Sequence, residues 1–572
     1  MRFLRGVTLT RIELAVISLG IAALAAIAFL GHIRHGGFYA DDWSVLSLVR
    51  FHGHGNVLQT LAHYYGRRPG QVLFLAALDG GLGYDAHLQL TLAAALLAIE
   101  VICLYALLRE IGMVTLHAAL ISGLVLIFPF SDSLWLWSVE TTATLAATLY
   151  LLGVLLALRA FEHRGWRSWT LHAASLALYL VALFTYEWFA VIGCLVGLLY
   201  VQRAGWRRAR ARWAVDVVAI IAVVGIEKLV LSDRVTPYKT QSLSGMAHHA
   251  GMIAGAGARI VGSAAIPFGS PDYRVILVAL GVVALVAAGT RALLPRGDPA
   301  RAALARWLLA GVVGLLLAAA AWAIYIPGID HYSPGALGTG NRVNGLAGIG
   351  VVILLYSAAM LLGTLLSRAS GRVSSGARIQ AVASVAAFGF SLFLGAGYLR
   401  RVSADSALWD RSAAAQRQLL ASMHALVPKP PARATLYVFG FRPTGAEAPA
   451  FEYPWELSSA IKWSYGNAGL AGAVVDARTK WACDARGVSA ATGIYAGVTR
   501  ARYGEALFVD VSAGRAIRVM ARSQCARPIG IKPQYLPLAT APKRRNPALA
   551  RVPAHAGGGT RTPDTRIMTS SA

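Results

Sequence analysis

The chain predicts an α-helical polytopic membrane protein of about eleven transmembrane helices, N-terminus inside, with a small C-terminal α+β extracytoplasmic domain. Three observations carry this. Of 572 residues, 56% are hydrophobic and only 14% charged, more apolar surface than a soluble domain hides. The apolar residues gather in runs of span length. The arginines behind the net charge of +26 fall in short clusters between alternate runs, as in cytoplasmic loops. They form no stripe suited to nucleic acid, so no nucleic-acid partner is expected.

Taken in order, the first run is Ile12 to Leu30, preceded by Arg2, Arg5 and Arg11. It is longer than a signal h-region, and Gly-His-Ile-Arg after it is a poor cleavage site, so it reads as a retained first helix. Further runs fall near residues 87–108, 112–130, 139–158, 169–185, 188–202, 213–231, 275–292, 307–326, 344–366 and 379–399. Residues 69–82 are apolar but short and interrupted by Asp79-Gly-Gly, which fits a re-entrant or surface-lying helix. With the N-terminus inside, the inner segments hold nineteen Lys/Arg and the longer outer loops nine, which sets the orientation. An odd count leaves everything after Leu399 outside, although Arg400 and Arg401 count against it.

The first outer loop, residues 31–86, is long enough to carry function or its own helices. Trp43, Val45, Leu46, Leu48, Val49 and Phe51 recur near a helical period, which predicts a short amphipathic helix on the bilayer surface. The outer segment from Ser232 to Arg274 has a Gly/Ala-rich, weakly helical middle and reads as a flap. Residues 1–400 thus form a transmembrane unit and 401–540 an α+β domain, while 541–572, without periodicity, reads as a disordered tail. Within the domain, Ser403 to Leu426 and Pro454 to Tyr465 are helical patterns; Ala434 to Gly440, Ala506 to Val511 and Ala516 to Ala521 alternate as strands. Cys103 and Cys194 lie in apolar runs. Cys483 and Cys525 are disulfide candidates if the domain is outside, and free thiols otherwise.

The acids Asp41 and Asp42 follow the first span directly. A carboxylate partly desolvated at a helix end suits a general base; Asp42 fits equally an N-cap for a helix from Trp43. Arg67 and Arg68, before Pro69, offer the paired donors a phosphate accepts, or headgroup anchors. Arg342, in Gly-Asn-Arg-Val-Asn at a span entrance, needs a partner or a ligand. Glu187, beside Tyr186 between two spans, is a partner for an arginine such as Arg68, a ligand, or a turn residue. His331 and Asp330 reach the same side. Asp132 and Glu140, near Trp135 and Trp137, read first as an interfacial aromatic belt. His32, His35, His52, His54 and His63 share the first outer loop with the aspartates. Asp42 and His54 are therefore candidate ligands of a divalent cation, the one cofactor the chain suggests, though the spacing matches no fixed motif.

One span, an outer Asp-Asp, a loop ending in Arg-Arg-Pro, a helical bundle and an outer domain together resemble the glycosyltransferase-C superfamily, which includes protein O-mannosyltransferases and aminoarabinose transferases. The resemblance covers roughly residues 1–400. It implies a plasma-membrane glycosyltransferase with its site on the extracytoplasmic face. The transfer would be inverting, from a polyprenyl-phosphate sugar to an envelope polymer, lipid or protein acceptor. Asp41, with Asp42, would fall at the catalytic base, and Arg67, Arg68 and Arg342 at the donor phosphate. The family often has Asp-Glu where this chain has Asp-Asp-Trp, and Lys-Pro or Arg-Pro-Pro-Leu at the proline. A transporter or flippase of a lipid-linked envelope component, or a non-catalytic scaffold, are the competing readings. No repeated halves favour the first of these.

Overall fold

A computed structural model describes residues 10–51, 56–231, 242–269, 272–328, 332–370, 375–441, 448–452, 454–476, 479–491 and 498–526. The long helix α1 (Arg11–His35) is followed by three short ones in the first loop: α2 (Asp41–Arg50), α3 (Val57–Tyr65) and α4 (Pro69–Leu82). Next come α5 (Ala86–Glu110), α6 (Thr115–Leu126), the single turn α7 (Ser133–Leu136), α8 (Thr141–Ala160) and α9 (Trp166–Thr185). Then α10 (Ala190–Leu195) and α11 (Gly197–Ala204) share one path, and α12 (Trp206–Gly225) continues as a π-helix over Ile226–Leu231. The bundle closes with α13 (Leu243–Ala265), α14 (Tyr273–Leu293), α15 (Pro299–Ala323), α16 (Gly345–Ala369) and α17 (Gly376–Leu426).

Among the described residues, nine helical stretches are long and apolar enough to cross a membrane: α1, α5, α8, α9, α10 with α11, α14, α15, α16 and α17. Two expected runs fall outside this set. The run near 112–130 is a twelve-residue helix, α6, that breaks into turns at Pro129. The run near 213–231 belongs to α12, whose first turns carry four arginines.

Three expectations are corrected. The flap contains a full helix, α13, whose His249, Ile253, Ile260 and Val261 are buried at helical spacing. The break expected near residue 400 is absent. Instead α17 runs for 51 residues, roughly 75 Å at 1.5 Å per residue, and Arg401 is held inside the fold over the ring of Phe130, 4.6 Å from its centroid. Finally, α2 does not lie on the bilayer. Val45 and Val49, four residues apart, pack into the bundle core, while Trp43 and Leu46 enter the core of the C-terminal domain. One short helix therefore joins two cores, and its period is that of a buried helix with two apolar faces.

In the domain, α18 (Pro454–Tyr465) crosses between the parallel strands β1 (Thr435–Phe439) and β2 (Ala471–Val474), the connection a parallel pair requires. The sheet order is β2-β1-β6-β7, with β6 (Ala506–Asp510) parallel to β1 and β7 (Arg515–Val519) antiparallel to β6. Both central strands, Thr-Leu-Tyr-Val-Phe and Ala-Leu-Phe-Val-Asp, are buried along their whole length, as an inner strand covered on both faces is. A second, antiparallel sheet is formed by β3 (Lys480–Asp484), β4 (Gly487–Ala491) and β5 (Val498–Ala501). A disulfide joins Cys483 on β3 to Cys525 on α19 (Arg522–Ala526).

Charged pairs gather at the two ends of the bundle. At one end, where the segments expected inside meet, Arg109 bonds Glu13 at 2.6 Å, Arg203 pairs with Glu110 and Glu162, and Arg368 lies 3.3 Å from Asp298. The other end carries the domain and the acids after α1.

Candidate active site under the C-terminal domain

The peptide entering α2 is held from several sides. Trp137 Nε1 donates to the Tyr39 carbonyl at 3.0 Å, and the Tyr39 hydroxyl donates to the Trp409 carbonyl on α17 at 3.0 Å. Below them His32 contacts Asp410 at 2.6 Å and the Leu136 carbonyl at 3.0 Å. Between these anchors Ala40 adopts φ 43°, a region that favours glycine and costs an alanine on the order of 1–3 kcal/mol. Strain of this kind is retained where the surroundings over-determine it.

Asp42 turns inward. It is 3% exposed and accepts three hydrogen bonds, from Tyr39 N at 3.0 Å, Ser138 Oγ at 2.8 Å and Val139 N at 2.8 Å. It thus ties α2 to the loop before α8. Burial pushes its carboxyl up to about 7, against the pull of those three donors. Beside it is a small cavity also lined by Ser138, Gln89 and Asp79. Asp79 accepts from Gln89 Nε2 at 3.1 Å and is raised by burial to about 6. Two of these donors meet Oδ1 and one meets Oδ2. His54 lies outside the described residues, and among these no group of three or more His, Cys, Asp or Glu is placed to hold a metal ion.

Asp41 turns the other way and stays half-buried. Its Oδ1 accepts from Trp455 Nε1 on α18 at 3.1 Å. Arg342 lies within electrostatic reach of it, in the turn before α16. The guanidinium donates to Glu140 Oε1 at 3.1 Å and sits over the Trp137 ring, 5.1 Å from its centroid. The Arg342 turn is pinned by its neighbours: Asn341 bonds Asp132 at 2.5 Å and Ser133 N at 3.1 Å, and Asn344 bonds the carbonyls of Phe130 and Gly335 at 2.7 Å.

Arg68 stands at the position just before α4 and grips Glu187 with two donors, Nε at 2.7 Å and a terminal nitrogen at 3.0 Å. Its guanidinium also lies over the ring of Tyr186, 4.2 Å from the centroid. Gly70 makes this meeting possible. A Cβ there would stand 2.9 Å from Thr185 N and 3.0 Å from Phe184 C, so α4 approaches the end of α9 only without a side chain. Lys228, on the π-helical turn after α12, reaches the same Glu187 carboxylate at 3.4 Å. Among the described residues, neither oxygen of its buried neighbour Glu227 has a hydrogen-bond partner. π-Turns of this kind recur at functional sites because they re-aim consecutive side chains. Arg67 is half-buried beside Arg68.

The structure thus brings Asp41, Arg67, Arg68, Tyr186, Glu187 and Arg342 to one end of the bundle, with Asp42 behind them as an anchor. His331 lies outside the described residues. Sequence reasoning missed Lys228 and Trp455, and gave Glu140 to an aromatic belt. The pair Glu227-Lys228 inside an apolar run was a signal, since charges in such runs need a reason. Trp135 and Trp137 are buried at 2% exposure each and form no belt.

These features define a polytopic helical membrane protein whose polar site lies where the bundle meets a small α+β domain. The chain is similar to two crystal structures of ArnT from Cupriavidus metallidurans. The apo structure gives a TM-score of 0.38 at 12% identity over 78% of this chain and 84% of that one. The structure bound to undecaprenyl phosphate gives 0.30 at 12% identity over 79% and 85%. No protein-family model matches the chain, and no curated protein does.

Proposed function

We propose that the chain is a membrane glycosyltransferase of the glycosyltransferase-C type, moving a sugar from a polyprenyl-phosphate donor to an acceptor hydroxyl of the cell envelope with inversion. One observation carries the reading. A half-buried carboxylate, Asp41, stands at the same bundle end as two arginine–carboxylate pairs and a lysine, where a lipid-anchored anion reaches cations without leaving the membrane. The positive-inside bias and the Cys483–Cys525 disulfide support an outer-face site in the plasma membrane.

In this reaction Asp41 takes the proton of the acceptor hydroxyl as its oxygen bonds the anomeric carbon. The bond from that carbon to the phosphate oxygen breaks, and its electron pair leaves with the polyprenyl phosphate. The leaving group needs charge stabilisation more than an acid. Arg68, Arg342 and Lys228 supply it, trading part of their hold on Glu187 and Glu140 for phosphate oxygens.

The test is transfer by purified protein in liposomes with a panel of radiolabelled polyprenyl-phosphate sugars. Wild type turns over one donor, and Asp41→Asn, folded to the same melting temperature, loses at least about a thousandfold. Full turnover by the variant, or none by wild type with any donor, overturns the reading. A chelator arm decides whether a divalent cation takes part.

A further inference from the structure

One hydrogen bond to Asp41 comes from outside the membrane bundle. Its donor, Trp455, sits in the first turn of α18 and is 8% exposed. Leu457, Ala460 and Ile461 of the same helix pack into the domain core, and Ser458 Oγ bonds the backbone of Gly472 on β2. The helix is therefore fixed to its sheet, and its other face meets α2.

Two anchors set the register of that meeting. At the start of both helices Trp455 meets Asp41. At their far ends Arg50 lies over the Trp463 ring, 4.1 Å from its centroid, and donates to the Trp463 carbonyl at 3.1 Å. The anchors are nine residues apart on α2 and eight on α18, so the helices run side by side in the same direction. The Tyr84 ring lies tilted against Trp463, 4.4 Å between centroids, and Trp43 Nε1 bonds Gln416 on α17 at 2.7 Å. Domain docking thus dictates where the Trp455 N–H points.

We propose that Trp455 is a positioning residue for Asp41, its indole N–H holding Oδ1 so that the site is complete only with the C-terminal domain docked. The proposal rests on Asp41 acting as the base. An N–H donor to a carboxylate stabilises the ionised form that accepts a proton, and it fixes the carboxylate plane. Indole also donates without accepting, so it cannot compete with the acceptor for that proton.

The test deletes the N–H alone. In the full-length protein Trp455 is replaced by 3-benzothienylalanine, which keeps the ring shape with sulfur in place of the N–H; Trp455→Phe is the second variant. Asp41 is titrated by infrared difference spectroscopy of its carboxyl band, assigned with Asp41→Asn. Turnover is followed against pH in the same samples. The expected result is an Asp41 titration moved up by about one pH unit, the acid limb of the rate profile moving with it, and a kcat about tenfold lower at unchanged donor KM, the worth of one charge-assisted hydrogen bond. An unmoved titration overturns the proposal, whatever happens to melting temperature or rate. If Asp41→Asn proves active, the base assignment fails by itself, while the titration still decides whether Trp455 holds the carboxylate.

Discussion

Two adjacent aspartates with the same side chain end in different environments because consecutive residues of a helix point about 100° apart, Asp42 toward the segment before α8 and Asp41 toward α18. At Asp42 and Asp79, burial without full compensation raises both carboxyls, to about 7 and about 6. A carboxyl raised in the folded state binds more protons there than in the unfolded chain. Stability is then greatest below the unfolded value near 4, falls as pH rises through the window up to about 7, and is level above it. Asp79 is the cleaner probe, since among the described residues one of its oxygens has no hydrogen-bond partner and an amide can replace it. Asp79→Asn is expected to flatten the dependence of melting temperature on pH and to stabilise the protein at pH 8, by on the order of 3 kcal/mol at most. Melting curves in detergent between pH 5 and 8 check this; parallel curves for wild type and variant would exclude it. Asp42, with three donors to satisfy, admits no such exchange.

The helix α4, which begins at Pro69, places Arg68 only because Gly70 in its first turn lets it approach the end of α9. Gly70→Ala forces backbone apart, since the new Cβ meets Thr185 N at 2.9 Å. The cost is about 1–3 kcal/mol, and the Arg68–Glu187 geometry loosens with it. Donor KM is expected to rise about tenfold, whereas Gly80→Ala in the same helix, with nothing within 4 Å, leaves KM unchanged and does not destabilise. Equal effects of the two would mean that close approach is not what positions Arg68. Elements of this chain were legible where their period was strong. Strands β1, β6 and β7 and helix α18 fall where alternation and helical spacing put them. Strands β2 and β4 did not show, because Ala-Gly-Ala-Val and Gly-Val-Ser-Ala-Ala carry little strand propensity and are held by their partners. The continuity of α17 was hidden by Arg400 and Arg401, which read as a span end but solvate beyond the bundle or stack on Phe130.

At the scale of the molecule, span order and Lys/Arg bias brought Asp41, Arg68, Glu187 and Arg342 to one end without knowledge of any contact, because alternation of direction over all eleven apolar runs, those of the short α6 and of α12 included, decides which loops share a side. Partners across the bundle were beyond sequence, since Glu140 to Arg342 and Trp455 to Asp41 span 202 and 414 residues, and no local pattern records such pairings. The orientation itself is open to direct measurement. Arg433, in the domain just before β1, and Arg164, between α8 and α9, are both exposed and lie at opposite ends of the bundle. In a background with Cys103→Ser and Cys194→Ser, which leaves the Cys483–Cys525 disulfide intact, Arg433→Cys is expected to react with a membrane-impermeant maleimide in intact cells. Arg164→Cys should react only after permeabilisation. The reverse pattern would put the site on the cytoplasmic face, where a reducing environment would disfavour that disulfide and nineteen basic residues would lie on the side that disfavours them. The labelling of these two cysteines therefore decides the orientation of the spans and the compartment of the disulfide together.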